Sequence, residues 1–133
     1  YLNYTIDMKK YLFSLIALTM AFIVMAAGEP KISFNATTHD FGTIKEADGE
    51  VAYDFVIKNT GTAPLIIVSA SASCGCTTPK IPREPIKPGG TAKLKVIYDP
   101  TGRPGEFEKT VKIKSNIKGD RKVLRIKGVV VPK

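Results

Sequence analysis

Tryptophan is absent from this chain, histidine occurs once and cysteine twice, and acidic residues number 12 against 20 basic ones. Each shortage excludes something. A lone imidazole, His39, cannot build a multi-histidine metal site, and "TTHDFG" sets no second imidazole or nucleophile beside it. His39 therefore reads as a packed structural residue. Without tryptophan or a widely spaced cysteine pair, an antibody-type domain is excluded. No nucleophile elbow, H-E-x-x-H pair or Gly-rich loop ahead of a helix is present, and the chain is not expected to be an enzyme. "DFG" at 40–42 lacks the phosphate loop and catalytic loop of a kinase. Phe41 is instead expected to plug a core, with Gly42 bending the backbone at a bulge.

Only one stretch is long and apolar. Tyr11–Ala27 carries no charge, follows Lys9 and Lys10, and ends in small residues. This is the pattern of a signal peptide starting at Met8, with cleavage expected before Glu29. Left uncleaved, its 17 residues reach the short end of the roughly 17–25 that a membrane helix needs, so membrane attachment is expected only in that case. The expected division is 1–28, upstream residues plus signal segment, and 29–133, one exported domain, periplasmic or secreted. Setting aside Asp7, Lys9 and Lys10 leaves 18 basic and 11 acidic residues, a formal charge of +7 on that domain.

The exported part alternates. "KISFNA" sets Ile32, Phe34 and Ala36 on one face, "EVAYDFVIKN" sets Val51, Tyr53, Phe55 and Ile57, and "TAKLKVIYD" sets Ala92, Leu94, Val96 and Tyr98. "HDFGTI", "FEKTVKIKSN" and "KVLRIKGVVV" add further strands, and "APLIIVSASA" reads as a more fully buried one. "TPKIPREPIKPGG" reads as a Pro/Gly-rich connection. No window shows a helical period. About seven short antiparallel strands in one all-β domain predict an immunoglobulin-like β-sandwich.

On the last two strands Lys112 and Lys114 alternate with Val111 and Ile113, while Arg125 and Lys127 alternate with Leu124 and Ile126. Residues two apart share a face, so neighbouring strands would gather these four cations on one outer surface. Such a surface suits an envelope protein or an anionic glycan or lipid surface. Nucleic acid is not expected, because no aromatic residues interleave with the cations to stack on bases.

Cys74 and Cys76 are the only reactive pair. A disulfide between them requires the chain to turn, because two residues of extended strand advance about 6.6 Å, close to the upper limit for a bridge. Gly75 is the residue type that permits a turn. Two thiolates would otherwise suit a soft ion such as Cu(I), and leave tetrahedral zinc two ligands short. The expected order is a loop-stiffening disulfide, then a copper or redox role, then an intermolecular bridge. No cofactor is expected, with copper as the alternative.

"HDFGTI" (39–44), "FVIKNTGTAPLII" (55–67), "SASCGCTTP" (71–79) and "IKPGGTAKLKVIYDPTGRPGEF" (86–107) together resemble the bacterial domain of unknown function 1573. The resemblance implies an Ig-like sandwich related to the major sperm protein and ASPM–SPD-2–Hydin group, and an adhesive or scaffolding role in the envelope. The family signature falls on Asp40, Phe41, Gly42, Asn59, Gly61, Cys74, Gly75, Cys76, Thr77, Pro88, Gly89, Pro104 and Gly105. The expected function is an exported, non-catalytic binding or scaffolding module. The alternative is a periplasmic Cu(I)-binding or thiol-redox protein acting through Cys74 and Cys76.

Overall fold

The computed structural model describes residues 28–133. The signal-segment reading falls on residues outside that range. Eight strands form two four-stranded sheets: β1 (Ile32–Phe34), β2 (Thr38–Lys45), β3 (Val51–Asn59), β4 (Ile67–Ala72), β5 (Thr77–Lys80), β6 (Thr91–Tyr98), β7 (Gly105–Ser115) and β8 (Arg121–Val131). One sheet has the order β1-β3-β6-β5, the other β2-β8-β7-β4. This is an immunoglobulin-like sandwich, with two departures from the expected pattern. There are eight strands rather than about seven, and β2 pairs with β8 in parallel while every other pair is antiparallel.

The extra strand is β5, inside the stretch read as a connection. Pro79 argues against a strand in sequence, but β5 is an edge strand bonded only to β6, where a missing N–H leaves no gap in a ladder. The stretch around β4 departs in the other direction. It reads as a buried strand, yet Ile66 is 43% and Val68 52% exposed. Here β4 is the other sheet's edge, and a register shift between Ile67 and Ser69 turns Val68 outward.

Period-two alternation otherwise sets the core. Phe55, Ile57, Leu94, Val96 and Tyr98 point inward from one sheet and meet Ile67, Val111, Ile113, Leu124, Ile126 and Val130 from the other. Among the described residues, every strand and the whole buried core lie within 32–131.

Gly42 behaves as its sequence context predicts. Its φ is +68°, the register of β2 against β8 shifts between Asp40 and Thr43, and the Gly42 N–H donates to Asp40 Oδ1 at 2.8 Å. The bulge brings the Gly42 carbonyl against Gly128, where a Cβ would stand 2.8 Å from that oxygen and 2.9 Å from the Phe107 ring. Only glycine fits there.

The sandwich has two distinct ends. The hairpin end carries the connections 60–66, 81–90 and 116–120 and receives the chain at Gly28. The opposite end carries 46–50, 99–104 and the last residues, tied together by Glu46, whose carboxylate accepts from the Gly102 N–H at 2.7 Å and the Lys133 N–H at 3.4 Å.

Candidate functional site

β7 and β8 pair as neighbours, and Lys112, Lys114, Arg125 and Lys127 all project from the outer face of their sheet. The register refines how they sit. Lys114 lies opposite Arg121 and Lys112 opposite Val123, so the basic half of the face leans toward the hairpin end. Lys127 lies between two carboxylates, with Glu108 opposite on β7 and Asp40 opposite on β2. Arg125 reaches Glu108, Nη1 to Oε1 at 3.2 Å, with both side chains more than half exposed. An exposed pair of this kind contributes about 0–1 kcal/mol and leaves Arg125 free to change partners. The four cations therefore share a face without forming one uninterrupted stripe. A shallow groove of about 460 Å³ runs beside Lys127, bordered by Asp40, Glu106, Glu108 and Val129.

Cys74 and Cys76 occupy the corner where the chain leaves β4 in one sheet and enters β5 in the other. The two cysteines are joined as a disulfide, with Cα atoms 5.2 Å apart. Several bonds hold the corner. The Thr77 N–H donates to Cys74 O at 3.2 Å, the Ser73 N–H to Thr110 O at 2.9 Å, and the Asp99 N–H to Cys76 O at 2.9 Å. Cys76 is buried and Cys74 half-buried, so Cys74 is the sulfur nearer to solvent. Gly75 is not needed for the reason expected. It is not among the glycines with positive φ, and a Cβ there would meet nothing within 4 Å. As a disulfide the pair offers no thiolate to a metal, and ligation would require reduction first.

His39 stacks on Tyr53 across the two sheets, with ring centroids 3.7 Å apart, and meets the edge of Phe41 at 4.7 Å. It fills space between layers, the structural role its sequence context suggests. Tyr98 stacks on Phe107 at 4.0 Å, and its buried hydroxyl has no hydrogen-bond partner among the described residues. Burial raises its phenol above the ordinary value, with Arg103 lowering it and Asp99 raising it further.

Two features escape a strand-by-strand reading. On the outer face of the first sheet Lys80 stands directly opposite Lys95, a like-charge pair, with Lys93 one step along. The alternation of "TAKLKVIYD" signals Lys93 and Lys95, but Lys80 enters only because β5 exists. At the hairpin end, Lys58, Lys87 and the pair Lys118 and Arg121 of the β7–β8 hairpin come from three separate segments. No local pattern in the sequence joins them. Asn59, fully buried, organises the same end: its Nδ2 donates to Ala63 O at 2.8 Å and Ile86 O at 2.9 Å, while Oδ1 accepts from the N–H groups of Gly61 at 3.0 Å and Lys31 at 3.4 Å.

Known structures share this architecture. A protein of unknown function from Porphyromonas gingivalis W83 is 23% identical with a TM-score of 0.61, over 77% of this chain and 46% of that one. This chain thus spans less than half the length of that protein. The ASH / PapD-like domain 7 of human CEP192 is 10% identical with a TM-score of 0.63, over 77% of this chain and 87% of that domain. The CupB2 chaperone of Pseudomonas aeruginosa is 15% identical with a TM-score of 0.53, over 74% and 55%. At these identities the likeness is one of fold alone. No curated protein matches the chain. The model of the family described as "Protein of unknown function (DUF1573)" matches residues 32–130, and the chain belongs to that family.

Proposed function

We propose that this domain is a non-catalytic binding or scaffolding module of the bacterial cell envelope, working in the periplasm or at the cell surface. One observation carries the reading. Lys112, Lys114, Arg125 and Lys127 project from two paired eleven-residue strands, so a basic surface is in place before any partner arrives. Only Arg125 of these four is engaged in an ion pair. The partner is an envelope protein or an anionic glycan or lipid surface. Its capture from an envelope fraction should weaken steeply with salt, because exposed charges are screened over about 8–10 Å near physiological ionic strength. In Lys114→Glu/Arg125→Glu the capture should be lost while the fold is unchanged, as exposed substitutions cost within about 0.5 kcal/mol. Capture that survives both changes leaves solubility as the purpose of these charges. N-terminal sequencing of the envelope protein tests export, with Glu29 expected first and a retained Met8 or Tyr11 assigning the chain to the membrane.

A second reading follows from the half-exposed Cys74. A dithiol that reduces the bridge is itself oxidised to a disulfide and leaves two thiols on Cys74 and Cys76, a pair that suits Cu(I). Thiol counting on protein from the envelope distinguishes the two. A bridged pair that never takes up Cu(I) disfavours it, whereas two free thiols with tight Cu(I) uptake lost in Cys74→Ser make it primary.

A further inference from the structure

The two ends of the sandwich differ in charge. At the opposite end, Glu46, Asp48, Glu50, Asp99 and Glu106 outnumber Lys45, Arg103 and Lys133. At the hairpin end Lys31, Lys58, Lys87, Lys118 and Arg121 are all exposed. Facing them are Glu29 and Asp120, and Asp120 is already paired with Lys122 at 3.4 Å. Arg83 and Glu84 cancel. The hairpin end is thus basic, as are the β7–β8 face and the Lys80, Lys93 and Lys95 group on the other sheet.

Two further observations concern this same end. The two most exposed large hydrophobic side chains among the described residues, Val68 at 52% and Ile66 at 43%, lie beside it. Ile66 is held there by Asn116, whose Oδ1 accepts from the Ile66 N–H at 3.0 Å and whose Nδ2 donates to Pro64 O at 3.1 Å. The chain also enters here. The Glu29 N–H donates to Thr62 Oγ1 at 3.2 Å and Glu29 O accepts from the Thr62 N–H at 2.8 Å, so the apolar stretch ending at Ala27 joins the domain at its basic end.

We propose that the hairpin end docks on the surface of an anionic lipid bilayer, with Lys58, Lys87, Lys118 and Arg121 facing the headgroups and Ile66 and Val68 entering the interface. Cations and exposed aliphatic side chains at the same end are the composition that interfacial binding uses. The occupant is a bilayer rather than a second copy because the apolar stretch leaves the domain at this end. A chain still joined to that stretch carries the basic end to the membrane, and one released from it keeps the same charges. The inference rests on the reading of the domain as an envelope binding module, and adds a surface distinct from Lys112 and Arg125.

The test uses residues 29–133, which hold every strand and the entire core found among the described residues, with vesicles of phosphatidylglycerol and phosphatidylcholine against phosphatidylcholine alone. Binding is expected only to the anionic vesicles and should fall steeply with salt. Each cation at such a surface strengthens binding roughly fivefold, so Lys58→Gln/Lys87→Gln/Lys118→Gln/Arg121→Gln should weaken it on the order of several hundredfold. Ile66→Ser/Val68→Ser should weaken it without changing its salt dependence. Equal binding to both vesicle types overturns the proposal, as does a loss of less than about tenfold in the quadruple variant. Concentration-dependent self-association abolished by the quadruple variant, with no vesicle binding, assigns the end to a second copy and also overturns it. Lys114→Glu/Arg125→Glu separates the two readings. If envelope capture depends on that pair while vesicles never bind, the bilayer inference fails alone; if neither capture nor vesicle binding occurs, both fail.

Discussion

Replacing Asn59 with alanine should destabilise the domain more than any other single change of a polar side chain. Asn59 is fully buried, and its amide makes all four of its hydrogen bonds to main chain, to Lys31, Gly61, Ala63 and Ile86. Its own main chain closes the end further, the Asn59 N–H donating to Gly90 O at 3.0 Å and Asn59 O accepting from the Gly89 N–H at 2.8 Å. Alanine removes the four side-chain bonds and leaves a cavity the size of a carboxamide. At roughly 1 kcal/mol for each bond, the loss is about 4 kcal/mol. That is a large share of the roughly 5–15 kcal/mol that holds a domain of this kind together. At roughly 5 °C per kcal/mol, thermal unfolding followed by far-UV circular dichroism should show a fall of about 20 °C. Asn116 is the internal control. It also bonds two main-chain groups, Pro64 O and the Ile66 N–H, but it is exposed and water can replace it. Asn116→Ala should cost about 1 kcal/mol or less. Equal losses at the two positions would refute the claim that burial, rather than bonding alone, gives Asn59 its weight.

Removing the phenol of Tyr98 should act in the opposite direction. An unpartnered buried hydroxyl costs about 1–3 kcal/mol, so Tyr98→Phe should raise the unfolding free energy by about 1 kcal/mol, and a fall of that size in a urea titration counts against it. The Thr101 hydroxyl and then its N–H, with Oδ1 at 3.0 Å from the N–H, hold the Asp99 carboxyl below its ordinary value, partly opposed by desolvation and helped by Arg103. A depressed folded-state value contributes stability above the ordinary carboxylate value that is lost as pH falls through the folded one. Thr101→Ala should therefore move the Asp99 titration upward by NMR, and any advantage of the native chain should vanish in acid; an unmoved titration refutes the assignment. Reducing the Cys74–Cys76 bridge should cost only about 1.5 kcal/mol, because so short a loop removes little entropy from the unfolded chain, and a loss above about 3 kcal/mol measured with and without reductant would show that the corner depends on it.

Elements whose two faces differ were legible in sequence, and elements at edges were not. β3 and β6 lie inside a sheet, and their alternation names the inward residues Phe55, Ile57, Leu94 and Val96 directly. β4 and β5 lie at edges, where a bulge or a proline is tolerated because one side of the backbone has no partner. The same freedom made the first look too buried and hid the second. The candidate surfaces divide in a parallel way. Lys112, Lys114, Arg125 and Lys127 share a face by period alone, whereas Asp40 and Glu108 reach Lys127 only through the β2–β8 and β7–β8 registers. The basic hairpin end depends on the end of β3, the 81–90 connection and the β7–β8 hairpin meeting, which is long-range information that no window of sequence contains.

Several of the positions that carry the family resemblance have structural work. Gly42 takes the bulge that lets β2 close on Gly128, and Asn59 gathers the hairpin-end loops. Gly61 lies so close to the chain entering at Glu29–Lys31 that a Cβ would stand 2.2 Å from Glu29 O. Cys74 and Cys76 brace the corner between sheets. None of them belongs to the basic hairpin end as a charge, and none is Lys112, Lys114, Arg125 or Lys127. On the proposed reading, these positions hold the fold and recognition falls to side chains outside them. It follows that changes at Asn59 or Gly61 should disturb binding only by loosening the loops that present Lys58 and Lys87, whereas changes at the cations should alter binding in a domain whose unfolding temperature is unmoved. A binding defect at the signature without a loss of stability would place recognition in the signature itself, and reverse that division.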